Sequence, residues 1–176
     1  SVGGAVRMNA GGHGAEIRDV LHSATVFDLA QGVSRTVVPA DLGLVFRSSA
    51  LGPTEVVVAA RLVGTPSDPA AAGSRIDEIV RWRREHQPGG QNAGSVFRNP
   101  PDDAAGRIID ACGLKGLRIG GVEVSDKHAN FFTAAPDARA DDVYALVVEV
   151  RRRVEAATGI RLDPEIRLVG FPAEAQ

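Results

Sequence analysis

The stretch Asn92-Ala93-Gly94-Ser95-Val96-Phe97-Arg98-Asn99-Pro100 holds the most chemistry per residue in the chain. It offers one hydroxyl, then an aromatic, a cation and an amide, ahead of a Pro-Pro stop. Gly94 lets the backbone approach a ligand closely. Pro100 and Pro101 forbid a helix or a central strand beyond it. Such a turn can hold the Ser95 hydroxyl out into a pocket. Read alone, the stretch is more readily an ordinary polar turn, because loops are polar by default.

Other side chains can act on an anion. Arg47, in Leu44-Val45-Phe46-Arg47-Ser48-Ser49, carries a planar fork that matches a carboxylate; the alternative is a surface arginine paired with an aspartate. Glu165 follows Pro164, which fixes its approach, and by itself it reads as an exposed strand-start glutamate. Asn99 has an amide that can bridge a sugar hydroxyl and a phosphate oxygen, or it is a turn-forming Asn before proline. Ser125, Lys127, His128 and Asn130 cluster between two short strands; they can hold a diphosphate or a nucleotide sugar, or form a hydrophilic hairpin loop. His86 ends a helical pattern, where it can meet a phosphate or interact with the helix C-terminus. The run Gly3-Gly4 to Gly11-Gly12-His13-Gly14 can bring N–H groups near a phosphate or a ring, or be a plain loop.

The elements that must position these groups follow from periodicity and breakers. Val2 to Met8 allows a short helix, and Gly11, Gly12 and Gly14 then predict a loop that no regular element tolerates. Val20 to Leu29 reads as a strand, turning at Ala30-Gln31-Gly32 into a partner over Arg35 to Val38. Asp41 to Leu44 allows one helical turn. Thr54 to Val63 is β-branched and reads as a buried strand. Asp68 and Pro69 suit a helix start, and Ile76, Ile79, Val80 and Arg83 recur at helical spacing up to Gln87. Pro88-Gly89-Gly90 stops that helix and marks a lobe boundary. Asp103 to Ala111 is a short helix, and Val122 to Val124 and Asn130 to Thr133 are short strands. Ala140 to Thr158 is the clearest helix: Asp141 and Asp142 sit in its first turn, Val143, Leu146, Val147, Val150 and Val154 line one face, and Gly159 follows. Ile160 to Val169 closes the chain as an extended segment. The class is α+β (mixed α/β) in two lobes. The glycine runs lack the strand-turn-helix context of a dinucleotide-binding fold, which argues against a nicotinamide site of that type.

At 176 residues the chain can bury one good core or two modest ones. Its net charge of −2 gives no reason to expect nucleic acid or an anionic membrane as partner. No apolar run is long enough to span a bilayer. Cys112 is the only cysteine, which excludes an internal disulfide and fits a reducing cytosol. With four scattered histidines, no metal site is expected.

Four segments occur in a specific order: Ser1 to Gly14, the Ser95 stretch, Gly120-Gly121-Val122-Glu123-Val124-Ser125-Asp126-Lys127-His128-Ala129-Asn130-Phe131, and Pro164-Glu165-Ile166-Arg167. Together they closely resemble the UDP-N-acetylenolpyruvoylglucosamine reductase (MurB) family of peptidoglycan synthesis, over nearly the whole chain. The resemblance implies a cytoplasmic flavoprotein using FAD and NADPH on a nucleotide-sugar substrate, monomeric when full length, in cell-wall formation and hence cell shape and division. It implies a partial FAD-binding lobe over 1–86, a small α/β substrate-binding lobe over 87–162, and a tail over 163–176 that returns to the catalytic site and to a missing N-terminal lobe. The chain opens on a glycine-rich motif without methionine, so a fragment is expected, one that retains FAD weakly and does not turn over alone. A UDP-sugar-binding module without redox activity is the alternative. The compact spacing from Phe46 to Pro88 matches the family's shorter subtype.

The resemblance also assigns roles. Gly3, Gly4, Ala5, Asn9, Ala10 and Gly11 would contact flavin. Ser95 would give a proton to the carbanion left after hydride transfer to the enolpyruvyl double bond. Arg47 would neutralise the developing charge, and Glu165 would polarise the same carboxylate as a neutral acid, a state that burial can maintain near pH 7. Asn99, Ser125, Lys127, His128 and Asn130 would serve the substrate. Phe46 stands where the family has a tyrosine, so any role that needs the phenol hydroxyl is lost here.

Overall fold

The computed structural model describes residues 1–171, and its chain divides into two compact units, Ser1–Arg75 and Ile76–Gln176. Both are built from helices and antiparallel sheets, the α+β class expected. The division falls inside one helix, whereas the sequence breakers at Pro88-Gly89-Gly90 mark that helix's far end. The last five residues of the expected C-terminal tail, 172–176, lie outside the described residues.

In the first unit, helix α1 (Val2–Arg7) leads into strands β1 (Gly11–Gly12) and β2 (Ala15–Glu16) and a single helical turn, α2 (Ile17–Val20). The glycine segment expected to be irregular is therefore a minute hairpin, pairing Gly11 with Glu16 and Gly12 with Ala15. His13 (φ 52°) and Gly14 (φ 83°) occupy the two turn positions. Left-handed backbone at both is what a two-residue hairpin turn requires, and it overrides glycine's weak strand preference. Strands β3 (Leu21–Asp28), β4 (Val33–Val37) and β5 (Glu55–Leu62) form a sheet in the order β4-β3-β5, with a 3-10 turn over Pro39–Leu42 between β4 and β5. Leu21, Ala24 and Val26 of β3 face a core with Val6, Val37, Leu42, Leu44 and Leu51. The expectation that Thr54 to Val63 would be buried fails: β5 is a sheet edge, and Val58 is 58% exposed. Its β-branched residues satisfy strand geometry, but no described element covers both faces. Helix α1 lies close on this strand because Gly3 lacks a side chain; a Cβ there would sit 2.7 Å from the Val57 carbonyl oxygen.

Helix α3 (Pro69–His86) starts as expected, with Asp68 Oδ2 accepting the Ala71 N–H at 2.9 Å. None of its residues is buried, so its apolar periodicity is not matched by a packed face.

The second unit contains β6 (Gln91–Ser95), α4 (Ala105–Ala111), β7 (Arg118–Ile119), β8 (Val122–Val124), β9 (Phe131–Ala134) and α5 (Ala140–Thr158). The four strands pair in the order β6-β9-β8-β7. The core joins Val122, Val124 and Phe132 of the sheet to Ile108 and Ile109 of α4 and to Leu146, Val147, Val150 and Val154 of α5. Helix α5 has the bounds its periodicity predicts. Asp142 accepts the Arg139 N–H at 3.0 Å and the Gly121 N–H at 3.1 Å, so it caps the helix and ties it to the sheet. Both bonds hold its carboxyl below the usual aspartate range. Gly159 ends the helix in the left-handed conformation. The closing segment from Ile160 is irregular rather than extended, apart from one bridge between Phe97 and Pro164.

Candidate functional site

The first unit places several candidates around one cluster. Asn9 is fully buried with a positive φ of 41°. Its Nδ2 donates to Glu16 Oε2 at 3.0 Å and to the Val45 carbonyl at 3.2 Å, and its Oδ1 accepts the Arg18 N–H at 3.0 Å. That side chain fastens the β1–β2 hairpin to the Phe46–Arg47 turn. Arg47 donates to the Gly11 carbonyl at 2.8 Å and the Asn9 carbonyl at 3.3 Å, and lies 4.0 Å from Glu16. Its φ of 49° is unusual for a residue with a side chain and costs on the order of 1–3 kcal/mol, which these contacts offset. The guanidinium also sits 4.7 Å from the Phe46 ring centroid. That cation–π contact uses the face of the ring, so phenylalanine supplies it without the hydroxyl.

Beside this cluster lies a cavity of about 430 Å³, lined by Gly11, Gly12, Gly14, Ala15, Glu16, Arg18, Asp19 and Arg47. A Cβ at Gly12 or Gly14 would meet nothing within 4 Å. Ser49 Oγ, two residues beyond Arg47, is buried without a hydrogen-bond partner. Open glycines, with two cations and the Glu16 and Asp19 carboxylates around them, fit a polar portion of a large cofactor or substrate. Of the six expected flavin contacts, Gly11 lines this cavity. Gly3 is used by α1–β5 packing, the Gly4 N–H is held by Ser1 Oγ at 3.2 Å, and the Asn9 side chain is committed internally; the Ala10 carbonyl accepts the Ile17 N–H at 2.9 Å, and Ala5 is partly buried. Glu16 and Arg18 were not singled out from sequence. Their only local signal is a carboxylate two residues from a cation after a glycine turn.

In the second unit, Ser95 ends β6, opposite Phe131 of β9. The stretch read as a flexible turn is a strand whose register slips between Asn92 and Ser95. Gly94, at φ 79°, absorbs the slip, which is why a glycine-containing polar run still pairs. Immediately beyond, Val96, Phe97 and Arg98 meet the closing segment: the Glu165 N–H donates to the Val96 carbonyl at 2.7 Å, and the Arg98 N–H to Asp163 at 2.9 Å. Residues 70 positions apart are thereby placed one residue from each other across a backbone pairing.

The remaining candidates in this unit have local tasks. Asn99 Oδ1 accepts the Ala105 N–H at 3.0 Å, at the start of α4. Ser125 Oγ accepts the Lys127 N–H at 3.2 Å and the His128 N–H at 3.4 Å. The Asn130 amide is bound to Phe97. Exposed Lys127 reaches the Arg84 carbonyl through Nζ. His86 stacks on Trp82 at 4.6 Å and contacts its carbonyl. His128 Nδ1 accepts the Asn130 N–H at 3.2 Å, which fixes the neutral tautomer with its proton on Nε2. Among the described residues no group of three or more His, Cys, Asp or Glu side chains could hold a metal, and no helix is long and apolar enough to cross a membrane.

Burial, and the nearby Lys115 charge, push the His128 pKa below the ordinary value of 6.5. The neutral ring is favoured by folding, so its contribution is complete above about 6.5 and is lost as pH falls through the lower folded value. An NMR titration of the chain should give a His128 midpoint below 6.5, with the Asn130 amide signal moving in step. A midpoint at or above that value would contradict this environment. The Glu149 carboxyl, held at about 2 by Arg152 and Arg153, titrates far below this window.

Residues 85–169 match the family described as UDP-N-acetylenolpyruvoylglucosamine reductase, C-terminal domain. The chain is 42% identical over 176 residues to the UDP-N-acetylenolpyruvoylglucosamine reductase of Rhodopseudomonas palustris (strain BisB5), covering 99% of this chain and 56% of that protein. It is 44% identical to the reductase of Paramagnetospirillum magneticum, covering 99% and 57%. The crystal structure of the Thermus caldophilus reductase (MurB) superposes with a TM-score of 0.82 at 38% identity, over 94% of this chain and 59% of that one. Residues 85–169 belong to the family of the C-terminal domain of UDP-N-acetylenolpyruvoylglucosamine reductase. The chain spans just over half the length of the relatives it matches. The family match covers Ser95 and Glu165, together with the whole Ser125–Asn130 loop.

Proposed function

We propose that the chain is part of a cytoplasmic UDP-N-acetylmuramate dehydrogenase, which reduces UDP-N-acetylglucosamine enolpyruvate with NADPH through FAD in peptidoglycan synthesis. Residues 1–86 would serve the flavin, 87–162 the nucleotide sugar, and the tail from 163 the reacting carboxylate. The observation that carries this reading is the Glu165 N–H bond to the residue after Ser95, which brings a hydroxyl and a carboxyl into one neighbourhood.

When bound, a reduced flavin would supply the hydride, with NADPH as the source of its electrons. Hydride addition to one end of the enolpyruvyl double bond puts negative charge on the carbon next to the carboxylate. Ser95 gives its hydroxyl proton to that carbon, completing the lactyl ether. Serine is a weak acid in water, and it suffices here only because the acceptor is a strongly basic carbon. Glu165 hydrogen-bonds the substrate carboxylate and draws charge from that carbon. Arg47 offers it a planar cation. In the first unit Gly12, Gly14 and Arg18 are the groups suited to a bound cofactor or substrate anion.

A protein spanning the full length of the relatives should purify yellow and oxidise NADPH only when the enolpyruvyl nucleotide sugar is added. Tight binding of that sugar with neither flavin nor NADPH oxidation would leave a binding module and remove the reductase reading.

A further inference from the structure

Asn130 is 3% exposed, and both ends of its amide are engaged by a single residue. Oδ1 accepts the Phe97 N–H at 2.9 Å, and Nδ2 donates to the Phe97 carbonyl at 2.8 Å. A carboxamide in this pose imitates a neighbouring strand, giving one acceptor and one donor to one peptide unit on each side of Phe97. The Asn130 backbone carbonyl adds a bond from the Val96 N–H at 2.8 Å. The other edge of residues 96–98 is held by Asp163 and Glu165. Phe97 itself is 1% exposed, so its backbone groups cannot turn to bulk water if the amide is removed.

This brace falls where the sheet cannot do the same work. The β6–β9 ladder loses register between Asn92 and Ser95. The ladder on the N-terminal side of Ser95 is thus broken, and the fixed geometry lies on its C-terminal side, at 96–98. We propose that Asn130 is a positioning residue that sets Ser95 against Glu165 through Phe97, and that its amide does not touch the substrate. The proposal rests on Ser95 and Glu165 as the groups that act on the substrate. The loop between β8 and β9 is then a scaffold for proton delivery, with Ser125 and His128 shaping its turn and Asn130 transmitting that shape to β6.

Asn130→Ser, whose hydroxyl cannot span both Phe97 groups, and Asn130→Asp, which keeps an acceptor and loses the donor, test it in a protein of the relatives' full length. Both should lower kcat for the enolpyruvyl substrate by roughly 10²-fold, the scale of a 1 Å misplacement, while KM and NADPH-driven flavin reduction stay near normal. In a Ser95→Ala background the same changes should add little, because the group they position is gone. In the 176-residue chain, Asn130→Ser should speed hydrogen exchange at the Phe97 amide and leave the Val124 amide protected. This readout serves even where activity is too low to measure. A raised KM at unchanged kcat would place the amide on the substrate and overturn the proposal. So would losses that multiply with Ser95→Ala, or unchanged Phe97 exchange. Full turnover by Ser95→Ala alone would instead sink the reading of the site on which the proposal stands, whatever the exchange data show.

Discussion

Ser95→Ala, in a protein of the relatives' full length, is expected to slow reduction of the enolpyruvyl nucleotide sugar by ~10²–10⁴, the range for losing a positioned general acid. Flavin reduction by NADPH should remain near the unaltered rate, because no proton from Ser95 enters that half-reaction. Stopped-flow absorbance separates the two halves: NADPH added to the oxidised protein reports one, and the nucleotide sugar added to the reduced protein reports the other. Ser95→Cys offers a stronger acid on a longer bond and should retain more of the second half than Ser95→Ala. Equal slowing of both halves, or of neither, would take Ser95 out of the acid role. The structural basis is local and fixed: Gly94 absorbs the register slip, and the peptide units immediately after Ser95 are held on both edges.

Much of this arrangement is legible in the sequence where local and tertiary preferences agree. Helix α5 is the clearest case: the apolar face, the acidic first turn and the closing Gly159 all specify the same element, and it forms with those bounds. The β3–β4 hairpin is similar, since its strands and its Ala30-Gln31-Gly32 turn are punctuated locally. Legibility fails where a partner far along the chain decides. The hairpin at Gly11 to Glu16 depends on the closure made by Asn9, Glu16 and Arg18, and glycine content alone argues for a loop. Strand β5 has the composition of a buried strand, yet its edge position is a property of strand order. The Ser125–Asn130 loop reads as a row of exposed polar groups, whereas Ser125 and Asn130 are buried and bonded within the protein. A polar residue's partner is invisible in one dimension, so sequence locates a chemically capable segment more readily than it distinguishes a side chain that meets a ligand from one that holds another residue in place. For the roles proposed for Ser95, Arg47 and Glu165, the order of whole motifs carries the information, since each residue alone has an ordinary alternative.

Arg47→Ala is expected to lower kcat for the enolpyruvyl substrate by about 10²–10³, the loss of roughly 3–4 kcal/mol of charge stabilisation where negative charge develops. The change should appear in kcat more than in KM if the cation meets charge that grows in the transition state. Arg47→Lys should recover little. The guanidinium is planar and binds the Gly11 and Asn9 carbonyls while lying across the Phe46 ring. An ammonium is a point charge with neither the fork nor the flat face, so it cannot reproduce those contacts together with a carboxylate pairing. Its backbone sharpens the test: at φ 49° a glycine is at ease, and Arg47→Gly should relieve local strain while removing the cation. Thermal melts of the 176-residue chain and steady-state kinetics of the full-length protein separate these effects. If the cation is what matters, Arg47→Gly and Arg47→Ala lose kcat alike despite different stabilities. If activity instead follows the melting temperature across Ala, Gly and Lys, Arg47 serves the turn alone and its part in neutralising the substrate carboxylate is wrong.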